Sequence, residues 1–166
     1  MTRRSTRWFA VCSLTACLLV AVAGCGVDDP GTPIPGAASI TEAVEALTLM
    51  PPGSEPDSVQ LRGRIGANSL EPFERDRAAF MLSEIIEDPN AGEGHDPSTC
   101  PFCKRRAEKA PKAYVVLLDD SGQPIPRPAD VAFGWDEGDV IQVSGTATFD
   151  KDLNTVKIEA TKYFKE

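Results

Sequence analysis

Apolar and polar residues alternate with a period of two along much of the chain, which is the pattern of a β-strand with one buried face. The first such stretch begins at Ser58, and a second candidate, apolar on both faces, covers residues 77–86. A third covers 113–118, and two more alternate over 141–149 and 156–160 on either side of a polar turn. No predicted helix between them is long enough for a parallel crossover. The pattern therefore predicts an all-β fold of five antiparallel strands, whose edges must be closed or covered.

Helical periodicity is confined to short segments. Ser39 and Glu42 fit a capping box, and apolar residues recur at helical spacing until Pro51 ends the helix. The pattern leaves open whether this helix packs on the domain or belongs to a tether. A second short helix is predicted between Pro101, which suits a first helical turn, and Pro111.

The start of the chain has the composition of an export signal. Residues 1–8 are short and basic, and 9–23 are almost wholly apolar or small. That run is shorter than the ~20 apolar residues that span a bilayer, but it suits the core of a signal peptide. It ends in Val22-Ala23-Gly24-Cys25, which resembles the bacterial lipobox. The resemblance implies that residues 1–24 are removed and that Cys25 carries lipid, with acyl chains such as palmitate as the membrane anchor.

This interpretation divides the chain into three parts. A lipoprotein signal peptide covers 1–24, and 25–57 combine the lipidated Cys25 with a Pro- and Gly-rich tether and the short helix. The folded domain covers 58–166, with an insertion at 87–111. We expect the protein to lie in the cell envelope, outside the cytoplasm and anchored to a membrane.

The charge of the mature chain argues against nucleic acid as a partner. Three arginines leave with the signal, so 14 basic and 25 acidic residues remain, a net charge of −11. Nucleic-acid affinity depends mainly on Lys and Arg displacing counterions from phosphates, and this surface would repel a polyanion. A protein partner or small ligand is not identified by the composition.

Two of the predicted strands resemble those of OB-fold barrels. Residues 138–145, Gly-Asp-Val-Ile-Gln-Val-Ser-Gly, are similar to the strand that begins the second half of many such barrels. Residues 59–65 are similar to the first strand, in which Gly63 would permit the sharp coil of a small barrel. The stretch from about 58 to 165 also resembles OB-like bacterial lipoproteins that carry a Cys-Pro-Phe-Cys insertion. The resemblance implies a small OB-like barrel that acts as a binding scaffold. Phe133 and Trp135, which flank Gly134 between strands, are interpreted as a plug at the end of the barrel rather than a ligand platform.

The insertion holds the one local group of residues with distinct chemistry. His95 lies five residues before Cys100, and Cys103 follows one helical turn later. The helix N-terminus and the cations that follow it are features that favour the thiolate form of a cysteine. Two thiolates and an imidazole suit a soft metal, Zn or Cu(I), with water, Asp96 or Glu93 as a fourth ligand.

Two other interpretations of the same residues stay open. Cys100 and Cys103 could form a structural disulfide in an oxidising compartment. They could also act as a redox pair, because Cys-Pro-Phe-Cys resembles a glutaredoxin active site, although the strand–helix alternation of that fold is missing. The function expected from the sequence is thus a non-enzymatic binding or accessory lipoprotein, possessing a His/Cys-x-x-Cys metal loop. The alternatives are a thiol-disulfide oxidoreductase using Cys100 and Cys103, or an envelope scaffold with a structural disulfide.

Overall fold

The computed structural model describes residues 32–51, 58–66, 71–86 and 99–166. Within these ranges lie three helices and five strands. In chain order they are α1 Ile40–Leu49, β1 Ser58–Ile65, β2 Ala79–Ser83, α2 Pro101–Lys109, β3 Lys112–Leu117, α3 Ala129–Phe133, β4 Val140–Asp150 and β5 Thr155–Lys165. None of the helices in these ranges combines the length and the apolarity that crossing a membrane requires. The predicted signal peptide and Cys25 lie outside the described residues.

The five strands form one mixed sheet in the order β1-β2-β3-β5-β4, and β4 also pairs with β1, so the pairings close into a ring. Four of the five pairings are antiparallel, as expected from the sequence. The expectation of a wholly antiparallel sheet is wrong for β3 and β5, which run parallel from Lys112 beside Thr155 to Leu117 beside Ala160. The parallel pair needs no single long crossover helix, because the antiparallel strand β4 lies between β3 and β5 in the sequence.

Alternation along the strands directs one face of the sheet into a common core. Val156, Ile158 and Ala160 on β5 are at most 1% exposed, which confirms the inward positions predicted for them. Trp135 is 5% exposed, and its ring meets that of the buried Phe80 edge-on at 5.4 Å. Trp135 is therefore a residue of the hydrophobic core. The preceding helix α3 was not predicted, because five residues are too few to show a helical period.

Helix α1 belongs to the folded domain. The predicted capping box is present, with the Glu42 amide donating to Ser39 Oγ at 3.2 Å and the Ser39 amide donating to Glu42 Oε2 at 2.8 Å. Ile40 is completely buried in the core that the strands form. Just before the helix, the Ala38 amide donates to the Gln60 carbonyl at 3.0 Å. The question that the sequence left open is thus answered in favour of packing on the domain.

Two glycines allow backbones to approach each other closely. A Cβ at Gly145 would lie 2.6 Å from the Ala160 Cα, at the irregularity in register between β4 and β5. A Cβ at Gly63 would lie 2.9 Å from the Leu82 Cβ. Real Cβ atoms do not approach so closely, so both strands depend on glycine at these positions. The close packing at Gly63 agrees with its predicted role in a tightly coiled first strand.

Candidate functional site

The predicted site residues are only partly within the described ranges. Cys100 and Cys103 are described, whereas Cys25, His95 and the proposed fourth ligands Glu93 and Asp96 lie outside. The structure therefore tests where the two insertion cysteines lie but not whether His95 approaches them.

Both cysteines lie in the first turn of α2. Cys100 is the N-cap residue and Pro101 occupies the first turn, as the sequence predicted. The Lys104 amide donates to the Cys100 carbonyl at 3.0 Å, and this hydrogen bond closes the first turn. The two cysteines therefore lie at the same end of α2, one as the extended N-cap and the other in the first helical turn.

The two cysteines differ in exposure. Cys103 is 4% exposed and is the buried residue of α2, while Cys100 is partly exposed. Phe102, between them, is 71% exposed. The site thus has one covered sulfur and one that solvent reaches, at the positive end of a helix dipole.

The described residues do not complete a metal site by themselves. Among them, no group of three or more His, Cys, Asp or Glu side chains is placed to hold a metal ion. Two thiolates from Cys100 and Cys103 suit the sulfur preference of Zn or Cu(I). A further protein ligand would have to come from residues outside the described ranges, such as His95.

A second feature was not anticipated from the sequence. A groove of about 450 Å³ lies on the outer face of the sheet where β3, β5 and β4 run side by side. Its lining residues are Arg77, Tyr114, Val116, Thr146, Thr148, Lys157, Ile158 and Glu159. The volume falls in the range typical of small-molecule sites, although the groove is open to solvent.

One wall of this groove is fixed by a hydrogen-bonded triad. Arg77 Nε donates to Glu74 Oε2 at 2.6 Å and Arg77 Nη2 donates to the Tyr114 hydroxyl at 3.0 Å. The Tyr114 hydroxyl in turn donates to Glu74 Oε1 at 2.6 Å. The bonds from Arg77 and Tyr114 lower the pKa of Glu74, and burial together with Glu74 raises the pKa of Tyr114 to about 12. At neutral pH the triad therefore holds a carboxylate, a guanidinium and an un-ionised phenol.

Two cationic side chains on the strands have specific partners. Arg62 forms a bidentate ion pair with Glu166. Its Nε donates to Oε1 at 2.6 Å, and its Nη2 donates to Oε2 at 2.7 Å. Lys157 Nζ lies 2.9 Å from Asp150 Oδ2. The Arg62–Glu166 pair joins residues 104 positions apart, whereas the Lys157–Asp150 pair spans seven positions across the turn between β4 and β5.

Comparison of the chain with family models, with curated proteins and with solved structures found no match.

Proposed function

We propose that the protein is a membrane-anchored extracytoplasmic lipoprotein that acts as a non-enzymatic binding or accessory module. Its scaffold would be an OB-like barrel. The closed order of five strands and the tight packing at Gly63 support that scaffold, since the OB-fold is a five-stranded Greek-key barrel. The lipobox-like residues that end at Cys25 support the anchor.

The anchor is tested by metabolic labelling with a radioactive or alkyne-bearing fatty acid. The parent protein should be labelled, and Cys25→Ser should not be. Cys17→Ser, which removes a thiol from the predicted signal peptide, is the matched control and should leave labelling intact. Equal labelling of Cys25→Ser and the parent would contradict the lipid anchor.

The ligand that we propose for the α2 site is a soft metal ion, Zn or Cu(I). The observation that carries this proposal is the placement of two cysteines in one helical turn, one of them only 4% exposed. Cys100 and Cys103 would supply thiolates and His95 an imidazole. When bound, the metal would be held by the protein and would cross-link the insertion locally. It would have no catalytic role, since the proposed module is not an enzyme.

Metal analysis combined with thiol counting tests this site. The mature protein, purified from the envelope without chelator, should contain about one equivalent of Zn or Cu per chain. Cys100→Ser and Cys103→Ser should each abolish stoichiometric binding, and His95→Ala should weaken it less because water can replace an imidazole. Phe102→Ser, which changes the exposed residue between the thiols, should retain the metal. Metal-free parent protein with two titratable thiols would contradict the proposal.

A thiol-disulfide oxidoreductase is the second candidate, and the difference in exposure between the two cysteines favours it specifically. The partly exposed Cys100 would attack a substrate disulfide, forming a mixed disulfide and releasing one substrate sulfur as a thiol. The covered Cys103 would then attack Cys100 Sγ and release the other substrate sulfur. The pair ends as a disulfide, oxidised by two electrons, and an external dithiol would have to reduce it again.

Trapping of a mixed disulfide distinguishes the redox function from the metal-binding function. Under the redox function, Cys103→Ser should accumulate a mixed disulfide through Cys100, visible by intact-protein mass, and the parent should reduce a model disulfide with turnover when dithiol is supplied. Under the metal function, neither should occur. An envelope scaffold with a structural disulfide would show no metal, no turnover and no titratable thiols before reduction.

A further inference from the structure

Helix α2 concentrates positive charge on an acidic protein. Four of its nine residues are basic and one is acidic, a net charge of +3, while the rest of the mature chain carries −14. All four cations are exposed: Lys104, Arg105, Arg106 and Lys109. None of them forms an ion pair with another residue in the described parts of the chain. Among the described residues, the cations of α2 are therefore not neutralised by ion pairs within the protein.

The same helix also exposes an aromatic ring. Phe102 is 71% exposed, and the Arg105 guanidinium carbon lies 4.9 Å from the centre of its ring. Stacking on the ring holds the guanidinium beside an apolar surface. Arginine and aromatic residues are enriched in protein–protein interfaces and in their energetic centres. An exposed Arg–Phe pair, among cations that have no ion-pair partner in the described part of the chain, thus has the composition of a docking surface for acidic groups.

The position of α2 relative to the entry of the chain distinguishes a protein partner from a membrane surface. The N-terminal segment enters where the Ile34 amide donates to Gln142 Oε1 at 2.7 Å, near the start of β4. The end of α2 lies at the other end of β4, where Asn154 Nδ2 donates to the Lys109 carbonyl at 3.4 Å. The eight residue steps from Gln142 to Asp150 correspond to about 26 Å along the strand.

The tether is of comparable length. Nine residue steps separate Cys25 from Ile34, which is ~30 Å at full extension. A lipid at Cys25 is attached at the entry end, so α2, one strand length farther from the attachment, lies on average farther from the membrane. This step rests on the proposed lipid anchor, whereas the charge and exposure of α2 do not.

We infer that α2 is a docking surface for an acidic segment of an extracytoplasmic partner protein. Carboxylates of the partner would pair with Arg105 and Arg106, and an apolar group would cover Phe102. Attraction between such surfaces increases the rate of encounter and weakens with salt.

The test uses the mature lipidated protein in neutral detergent micelles and a fluorescein-labelled octaglutamate peptide, with binding followed by anisotropy. The double variant Arg105→Glu/Arg106→Glu should lower the affinity by about tenfold or more, and salt should weaken binding of the parent. The matched control is Arg75→Glu/Arg127→Glu, an equal change of net charge at two exposed arginines elsewhere. It should change the affinity by less than about twofold, because the effect of distant charges is screened.

Three outcomes would overturn the inference. Equal losses in the two double variants would mean that only net charge matters. An octaglutamate affinity unaffected by reversing Arg105 and Arg106 would place binding elsewhere. A Trp reporter in Phe102→Trp that shifts to the blue on phosphatidylglycerol vesicles, but not with octaglutamate, would assign α2 to the lipid surface. Fatty-acid labelling and metal content, measured on the same preparations, report separately on the anchor and the thiol site.

Discussion

The walls of the closed sheet bury side chains from every strand, whereas α2 buries Cys103 alone. Each of β3, β4 and β5 alternates buried and more exposed positions over much of its length, and their backbones pair on both sides. On α2, by contrast, the charged residues and Phe102 face solvent. Burial of apolar surface is the main stabilising contribution to folding, so the sheet sets the stability of the domain. The helix is left free to carry the thiols and the charge.

A substitution should destabilise the sheet most where two strands approach so closely that there is no room for a side chain. Gly145→Val places a Cβ 2.6 Å from the Ala160 Cα, and backbone atoms cannot rotate away as a flexible side chain could. We expect destabilisation of about 3 kcal/mol or more, or failure to fold, measured by urea denaturation. Thr146→Val, at the next and exposed position of β4, is the matched control and should fold normally. A stable Gly145→Val protein would show that β4 and β5 do not pair in this register.

A comparison within α1 tests whether the segment before the sheet shares its core. Ile40 is fully buried and Leu49, at the other end of the same helix, is 84% exposed. Ile40→Ala should cost about 2–5 kcal/mol of unfolding free energy, and Leu49→Ala less than about 0.5 kcal/mol. If both substitutions changed the free energy of unfolding by similarly small amounts, α1 would not be part of the folded core and would belong to the tether.

The strands could be predicted because side chains on a half-buried sheet point alternately to the core and to solvent, which gives the sequence an apolar–polar period of two. The same pattern does not say which strands are neighbours, so the parallel pairing of β3 with β5 was missed. Placement of α1 was undecided for a related reason, since Ile40 and its neighbours look alike in a packed and an unpacked helix. Helix α3 was too short to show a period.

At the site, what could be predicted was local. Cys100, Pro101 and Cys103 lie within one turn, so sequence spacing alone placed the thiols at the start of a helix. The triad around Tyr114 joins residues 37 and 40 positions apart, and an outward position in an alternating strand does not reveal a partner at that distance. The spacing of Glu74 and Arg77, three residues apart, was the available signal for their ion pair.

The ion pair between Arg62 and Glu166 should make the sheet sensitive to acid. The hydrogen bonds from Arg62 and Gln142 lower the pKa of Glu166 to about 2. The carboxylate therefore stabilises the folded state above the ordinary Glu pKa of about 4.3, and this contribution is lost as pH falls toward 2. Because both side chains are about one-third exposed, we expect a contribution of only about 1 kcal/mol.

Urea denaturation as a function of pH measures this contribution. Glu166→Gln should be less stable than the parent at pH 7, and the difference should shrink as the pH approaches 2. Glu159→Gln, an exposed carboxylate of β5 with no ion pair in the described residues, is the control and should show a smaller difference. A pH-independent difference for Glu166→Gln would mean that the charge of Glu166 does not stabilise the fold.

The smallest effect is expected at α2, where one aromatic residue can be compared with another in the sheet. Phe102→Ala removes a ring that is 71% exposed and one cation–π contact with Arg105, so the global free energy of unfolding should change by less than about 1 kcal/mol. Phe80→Ala removes a ring that is 1% exposed and should cost about 3–5 kcal/mol of unfolding free energy.

Native-state hydrogen exchange distinguishes α2 from the sheet further. Amides of α2 should exchange through local opening, faster in Phe102→Ala than in the parent, while amides of β4 should exchange only on global unfolding. If the α2 amides were instead as protected as those of β4, the helix would be part of the same cooperative unit as the sheet.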